Sequence, residues 1–206
     1  MAPETWLAFV AASAVLLLIP GPTVLLVLSY ATSQGRRVAL ASAGGVALGD
    51  FAAITASLAG LGAVVAASAT ALTALKWLGA AWLCWLGWRL LRSAPAQGPA
   101  SAAAIHARGV FGHAAVVTAL NPKSIAFFVA FVPQSVDPAR AFAPQATIMV
   151  ATFVGLAATN ALAYALAADR LRLWLDRPDF TGWLTRLGGV TLIGMALATA
   201  TLRRPS

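Results

Sequence analysis

Long apolar stretches separated by short arginine-bearing segments dominate the chain, and six of them reach the roughly 20 residues that a bilayer core demands of a helix. They run over about 6–30, 39–66, 70–91, 110–133, 143–168 and 183–202. Two are interrupted near the middle by proline. The first span reads Leu18-Ile19-Pro20-Gly21-Pro22 and the fourth reads Leu120-Asn121-Pro122-Lys123. Interior proline removes a helix hydrogen bond and clashes with the preceding turn. A membrane tolerates such a break only where protein or a watery cavity satisfies the freed backbone groups. Breaks at corresponding places in two halves point to a transporter's binding site. The pattern therefore predicts an all-α integral membrane protein of six transmembrane helices. It is read as two inverted three-helix repeats with broken first and fourth helices.

The single transmembrane domain divides into repeat one (about 1–92), a linker (about 93–109) and repeat two (about 110–206). The linker carries the low-complexity string Ser-Ala-Pro-Ala-Gln-Gly-Pro-Ala-Ser from Ser93 to Ser101. A weak internal match supports the repeat. Leu75-Lys76-Trp77-Leu78-Gly79 aligns with Leu184-Thr185-Arg186-Leu187-Gly188, and a similar shift sets Asp50 opposite Asn160. Three spans are an odd number, so a second copy must enter the membrane upside down.

Composition agrees with the pattern. The 206 residues are 60% hydrophobic and 10% charged, too few charges to cover a water-soluble surface. Mean hydropathy is +0.83. The apolar N-terminus has no basic leader (Glu4 is its only charge) and continues past the prolines, so it reads as an uncleaved first helix. The net charge of +8 lies in loops. Arg36, Arg37, Arg89, Arg92, Arg108, Arg170, Arg172, Arg177 and Arg186 fall on one side of an alternating six-span chain, and Lys76, Arg140, Arg203 and Arg204 on the other. The first side is thus cytoplasmic and both termini face outward. No basic stripe interleaved with aromatics points to nucleic acid. Cys84, the only cysteine, lies in an apolar run and reads as a buried spectator, which excludes an internal disulfide or dithiol relay. His106 and His113 have no carboxylate or thiol at metal-ligand spacing, so no metal and no cofactor is expected.

Two charges remain that loops do not account for. Asp50 lies about twelve residues past the cytoplasmic edge, roughly 18 Å deep at about 1.5 Å per residue. An acid at that depth is costly and functional by default. Lys123 lies at a similar depth in the fourth span. The two either pair at rest or hold the ammonium and carboxylate of a zwitterion between them. Helices restarting after Pro22 and near Lys123 offer unpaired N–H groups to a carboxylate. Asn121 can bond either a freed carbonyl or a ligand amine. The spacing Gly45-x-x-x-Gly49 suits close helix packing, within the bundle rather than in a dimer.

Pro20-Gly21-Pro22, Gly45-x-x-x-Gly49-Asp50, Lys76-x-x-Gly79-Ala80 and Asn121-Pro122-Lys123 with Phe127-Phe128 and Pro133-Gln134 together resemble the LysE/RhtB family of amino-acid exporters, over nearly the whole chain. The resemblance implies a bacterial inner-membrane secondary transporter, not an enzyme. It would export small amino acids of the homoserine, threonine, leucine or lysine class by proton antiport. It also implies that Pro20, Gly21, Pro22, Asp50, Asn121, Pro122 and Lys123 line the path; the opposite charges at mid-depth beside the paired breaks make Asp50 the expected proton-coupling carboxylate. The partners are then an amino-acid substrate, protons and lipid, with a homodimer allowed. The alternative is a divalent-metal exporter on a similar inverted repeat, which a single acid in the spans disfavours.

Overall fold

Proline placement sets half of the helix starts. In the computed structural model, residues 1–19, 21–67, 69–92, 106–137, 139–175 and 178–201 are described, and every regular element among them is α-helical. These are α1 (Pro3–Leu18), α2 (Pro22–Gln34), α3 (Arg36–Ala67), α4 (Ala69–Arg92), α5 (Ala107–Ala119), α6 (Pro122–Ser135), α7 (Phe142–Leu175) and α8 (Pro178–Thr201). Four of them begin on proline, whose fixed φ suits the first turn and whose missing N–H has no partner to lose there. Gly35, at φ +80°, turns the chain from α2 into α3, a conformation that a side chain would strain.

The two predicted breaks are present. The α1 and α2 axes differ by 52°, and those of α5 and α6 by 45°. Among the described residues α3 (Arg36–Leu61) and α7 (Phe142–Ala168) are long and apolar enough to cross a membrane. Counting each bent pair as one span raises the number to four. The third and sixth predicted spans form α4 and α8, of 24 residues each. Helix α5 already starts at Ala107, inside the segment read as linker, and 93–105 lie outside the described residues.

Small residues set the closest helix contacts. A Cβ on Gly45 would strike the Phe111 carbonyl, and one on Gly49 the Ala115 carbonyl, so the predicted glycine pair seats α5 on α3 within the bundle. Gly79 lies on the Ala130 backbone, joining α4 to α6, and Gly87 and Gly189 face each other between α4 and α8. Two apolar clusters fill the interior. One is aromatic, with Phe9, Phe127, Phe128, Phe131 and Phe153 packed ring to ring at 4.7–6.2 Å. The other is small and aliphatic, with Val24, Val27, Ala39, Ala43, Val46, Ala114, Ala161 and Ala165.

Cys84 corrects an expectation. It is exposed on α4, as are Trp77, Trp82, Trp85 and Trp88. A helix that is apolar nearly all round gives no periodicity from which to tell its outer face. Trp88 carries Arg92 4.2 Å above its ring, a cation–π contact suited to a membrane interface.

Candidate functional site

The prolines dictate which backbone groups need outside partners. In an unbroken helix the Leu16 carbonyl would accept from the N–H of residue 20 and the Leu18 carbonyl from that of residue 22. Both positions are proline and carry no N–H. Four consecutive carbonyls at the end of α1 are instead satisfied by side chains from the second half of the chain. The Lys123 ammonium donates to the Leu16 oxygen at 2.9 Å and to the Ile19 oxygen at 2.8 Å. Asn160 Nδ2 donates to the Leu17 oxygen at 3.0 Å, and the Tyr164 hydroxyl to the Leu18 oxygen at 3.0 Å.

The second break is braced against the first. Asn121 caps α6, its side chain accepting from the Lys123 N–H at 3.0 Å. Its amide donates to Thr23 Oγ1, on the first turn of α2, at 3.0 Å, and Thr118 lies 3.4 Å from the same hydroxyl. Its polar groups thus go to an N-cap and a threonine, not to a freed carbonyl. The start of α2 has no side-chain cap. Gly21 is extended there, and a methyl at this position would lie 3.3 Å from Lys123 Nζ.

Between the two breaks lies a cavity of about 30 Å³, room for a water or two and far below the roughly 300 Å³ of a typical ligand site. Asp50, Val46, Thr23, Val24, Val27, Gly21, Asn121, Lys123 and Ser124 line it from one side. Ala157, Asn160, Ala161 and Tyr164 close it from α7, at the i, i+3, i+4, i+7 spacing of a single helix face. Asp50 is 2% exposed, and its Oδ1 is buried without a hydrogen-bond partner. Among the described residues the one ion pair is Arg140 with Asp137, so Asp50 and Lys123 share a cavity without pairing. No three His, Cys, Asp or Glu side chains come together among the described residues.

Of the residues singled out in the sequence, Gly21, Asp50, Asn121 and Lys123 meet at this cavity. Pro22 and Pro122 start α2 and α6 and are exposed, outside the lining. Pro20 lies outside the described residues. Thr23, Asn160 and Tyr164 were not singled out as site residues, although the internal repeat had set Asn160 opposite Asp50. Their contribution is measurable. Tyr164→Phe and Asn160→Leu each remove the partner of an α1 carbonyl; the first, at an exposed bond, is expected to lower stability by about 1 kcal/mol, and the second, at a half-buried one, by about 1–3 kcal/mol. Thermal unfolding of the purified variants in detergent reads both, and an Asn160→Leu variant as stable as wild type would remove this residue from the seal.

The family profile described as LysE type translocator matches residues 14–202. An uncharacterized membrane protein of Vibrio cholerae is 32% identical over 200 residues, covering 96% of this chain and 98% of that one. The homoserine/homoserine lactone efflux protein of Salmonella typhimurium is 33% identical over 200 residues, covering 96% and 97%. An uncharacterized membrane protein of Pseudomonas aeruginosa is 31% identical over 197 residues, covering 90% and 91%. No solved structure matches the chain significantly. A bundle with two braced helix breaks around a buried acid, matched by this profile over most of its length, belongs to the LysE family of translocators.

Proposed function

We propose that the protein is a secondary transporter of the bacterial inner membrane that exports small amino acids or close derivatives, of the homoserine, threonine, leucine or lysine class, by proton antiport. The observation that carries the reading is the unpartnered Asp50 oxygen in a polar cavity between two broken helices. A buried carboxylate oxygen with no partner is costly, and a substrate ammonium or a proton would satisfy it. Lys123 has three N–H donors and uses two on α1. The third, together with the uncapped first turn of α2, is available to a substrate carboxylate. The efflux activity named for the Salmonella relative agrees with this division of labour.

The six spans are two inverted repeats, 1–92 and 110–206 joined by the linker, with both termini outside. Exchanged packing supports the symmetry: α2 lies on α7 as α6 lies on α3, and α1 on α6 as α2 on α5. The cavity is too small for an amino acid, so it describes a closed intermediate. Rocking of one repeat against the other opens it alternately to each side. Asp50 alternates between proton and substrate amine, which makes the exchange obligatory. A homodimer is allowed, and nothing in the bundle requires it. No observation favours the divalent-metal alternative.

Export of a labelled amino-acid panel from proteoliposomes, with and without a proton gradient, tests the reading. Transport of one amino-acid class, accelerated by a gradient that drives protons against it, is the expected result. A well-folded protein that moves none of the panel would overturn it.

A further inference from the structure

The end of α1 is built as a cation site. Carbonyl oxygens at a helix C-terminus carry partial negative charge and attract cations, and the ends of broken transporter helices are places where a free cation binds. Here four consecutive carbonyls, from Leu16 to Ile19, project from such an end. Two are oriented so that one nitrogen reaches both, at 2.9 and 2.8 Å. The nitrogen is the protein's own. Lys123 reaches it from the opposite break, and Gly21 leaves the space through which it passes, since a methyl there would lie 3.3 Å from Nζ and 3.4 Å from Cε. Asp50, the nearest acid in the cavity, does not hold the ammonium. Backbone carbonyls alone do so.

The geometry points to a monovalent-cation site of the ammonium class at the broken end of α1, occupied from within by Lys123. The lysine is a tethered counter-cation whose two N–H bonds to α1 close the break without an ion from solution. The consequence for export rests on the exporter reading: wild-type transport has no sodium requirement, and α1 swings only when Lys123 releases the Leu16 and Ile19 oxygens. The N···O distances are those of charged N–H···O bonds, longer than a small metal cation such as sodium takes, so the emptied site would accept a monovalent cation of ammonium size, and ammonium and methylammonium are its probes.

Lys123→Ala empties the site without filling it. The purified variant is expected to melt several degrees below wild type in choline chloride. Ammonium or methylammonium chloride at equal ionic strength should restore most of the loss saturably, with no effect on wild type. In proteoliposomes the variant should lose at least tenfold of its export and regain part of it with methylammonium. A variant as stable as wild type, or one whose loss no small amine recovers, overturns the site. If Lys123→Ala does not fold, Gly21→Ala decides the matter, because α2's cap position is extended and tolerates alanine. Its methyl would lie 3.3 Å from Nζ, so the ammonium must shift by a few tenths of an ångström against the two carbonyls it bridges; the melting temperature should fall by a few degrees and export severalfold, and unchanged values for both overturn the proposal. Melting does not depend on transport. A wild type that exports no amino acid therefore ends the exporter reading while the melting arms still judge the cation site.

Discussion

Asp50→Asn is expected to lower amino-acid export by roughly 10- to 100-fold and to abolish its response to a proton gradient, while leaving the protein as stable as wild type or more so. The two effects have one origin. Asp50 Oδ1 is buried and bonded to nothing, so the isosteric amide gives up no hydrogen bond there. It also removes a carboxylate whose desolvation the Lys123 charge across the cavity offsets only in part. The fold loses little. A substrate ammonium would lose a charged hydrogen bond worth about 1.5–3 kcal/mol, and about 1.4 kcal/mol is a tenfold change in rate. An amide also cannot take up and release a proton, so the gradient loses its lever. Thermal unfolding and export with and without a pH step, measured on the same preparations, separate the two. Export that falls with stability would mean that Asp50 is a structural residue. Full, gradient-sensitive export in the variant would mean that another group carries the coupling.

The proline breaks and the burial of Asp50 were legible because their signals are local. A Pro-Gly-Pro string ends a helix wherever it occurs, and a lone acid in the apolar run between Arg37 and Lys76 must turn to the bundle interior or a cavity. The partner of Lys123 was not legible by matching charges. Side-chain reasoning offered Asp50, whereas the ammonium binds two backbone oxygens of α1. A signal was nevertheless present. Pro20 and Pro22 each delete a known donor, which leaves the Leu16 and Leu18 carbonyls in need of a partner. Both are found occupied, by Lys123 and Tyr164. What sequence could not supply was which helix delivers the donors. Asn160 and Tyr164 sit on α7 at i and i+4, and only the packing of α7 across the break aims them there. The outer face of α4 failed for a different reason. Apolar residues ring the helix, lipid is as apolar as a core, and Cys84 therefore looked the same whichever way it pointed.

Packing of α5 on α3 makes the second large prediction, because it holds the two halves of the site together. Asp50 follows Gly49 directly on α3, and α5 leads through Thr118 into Asn121 and Lys123. Gly45→Ala would drive its methyl into the Phe111 carbonyl and to 2.9 Å from the Ala114 Cβ; Gly49→Ala would meet the Ala115 carbonyl and Thr118 Cβ at 2.7 Å. These contacts are mainly rigid backbone and short side chains, so the helices must separate. Overpacking of this kind costs about 1–3 kcal/mol or more, beyond the roughly 1 kcal/mol that alanine gains over glycine in a helix. Gly155→Ala on α7 is the control. Nothing lies within 4 Å of its added methyl, so the helix gain stands alone and the variant should match or exceed wild type. Melting of the three variants orders them, and export distinguishes packing from site geometry. In Gly49→Ala the separation comes one residue from Asp50, so export should fall further than in Gly45→Ala at comparable stability. Equal stability of Gly45→Ala and Gly155→Ala would show that α5 does not lie on α3 as drawn. The bracing of one break by the other would then lose the contact that aligns them.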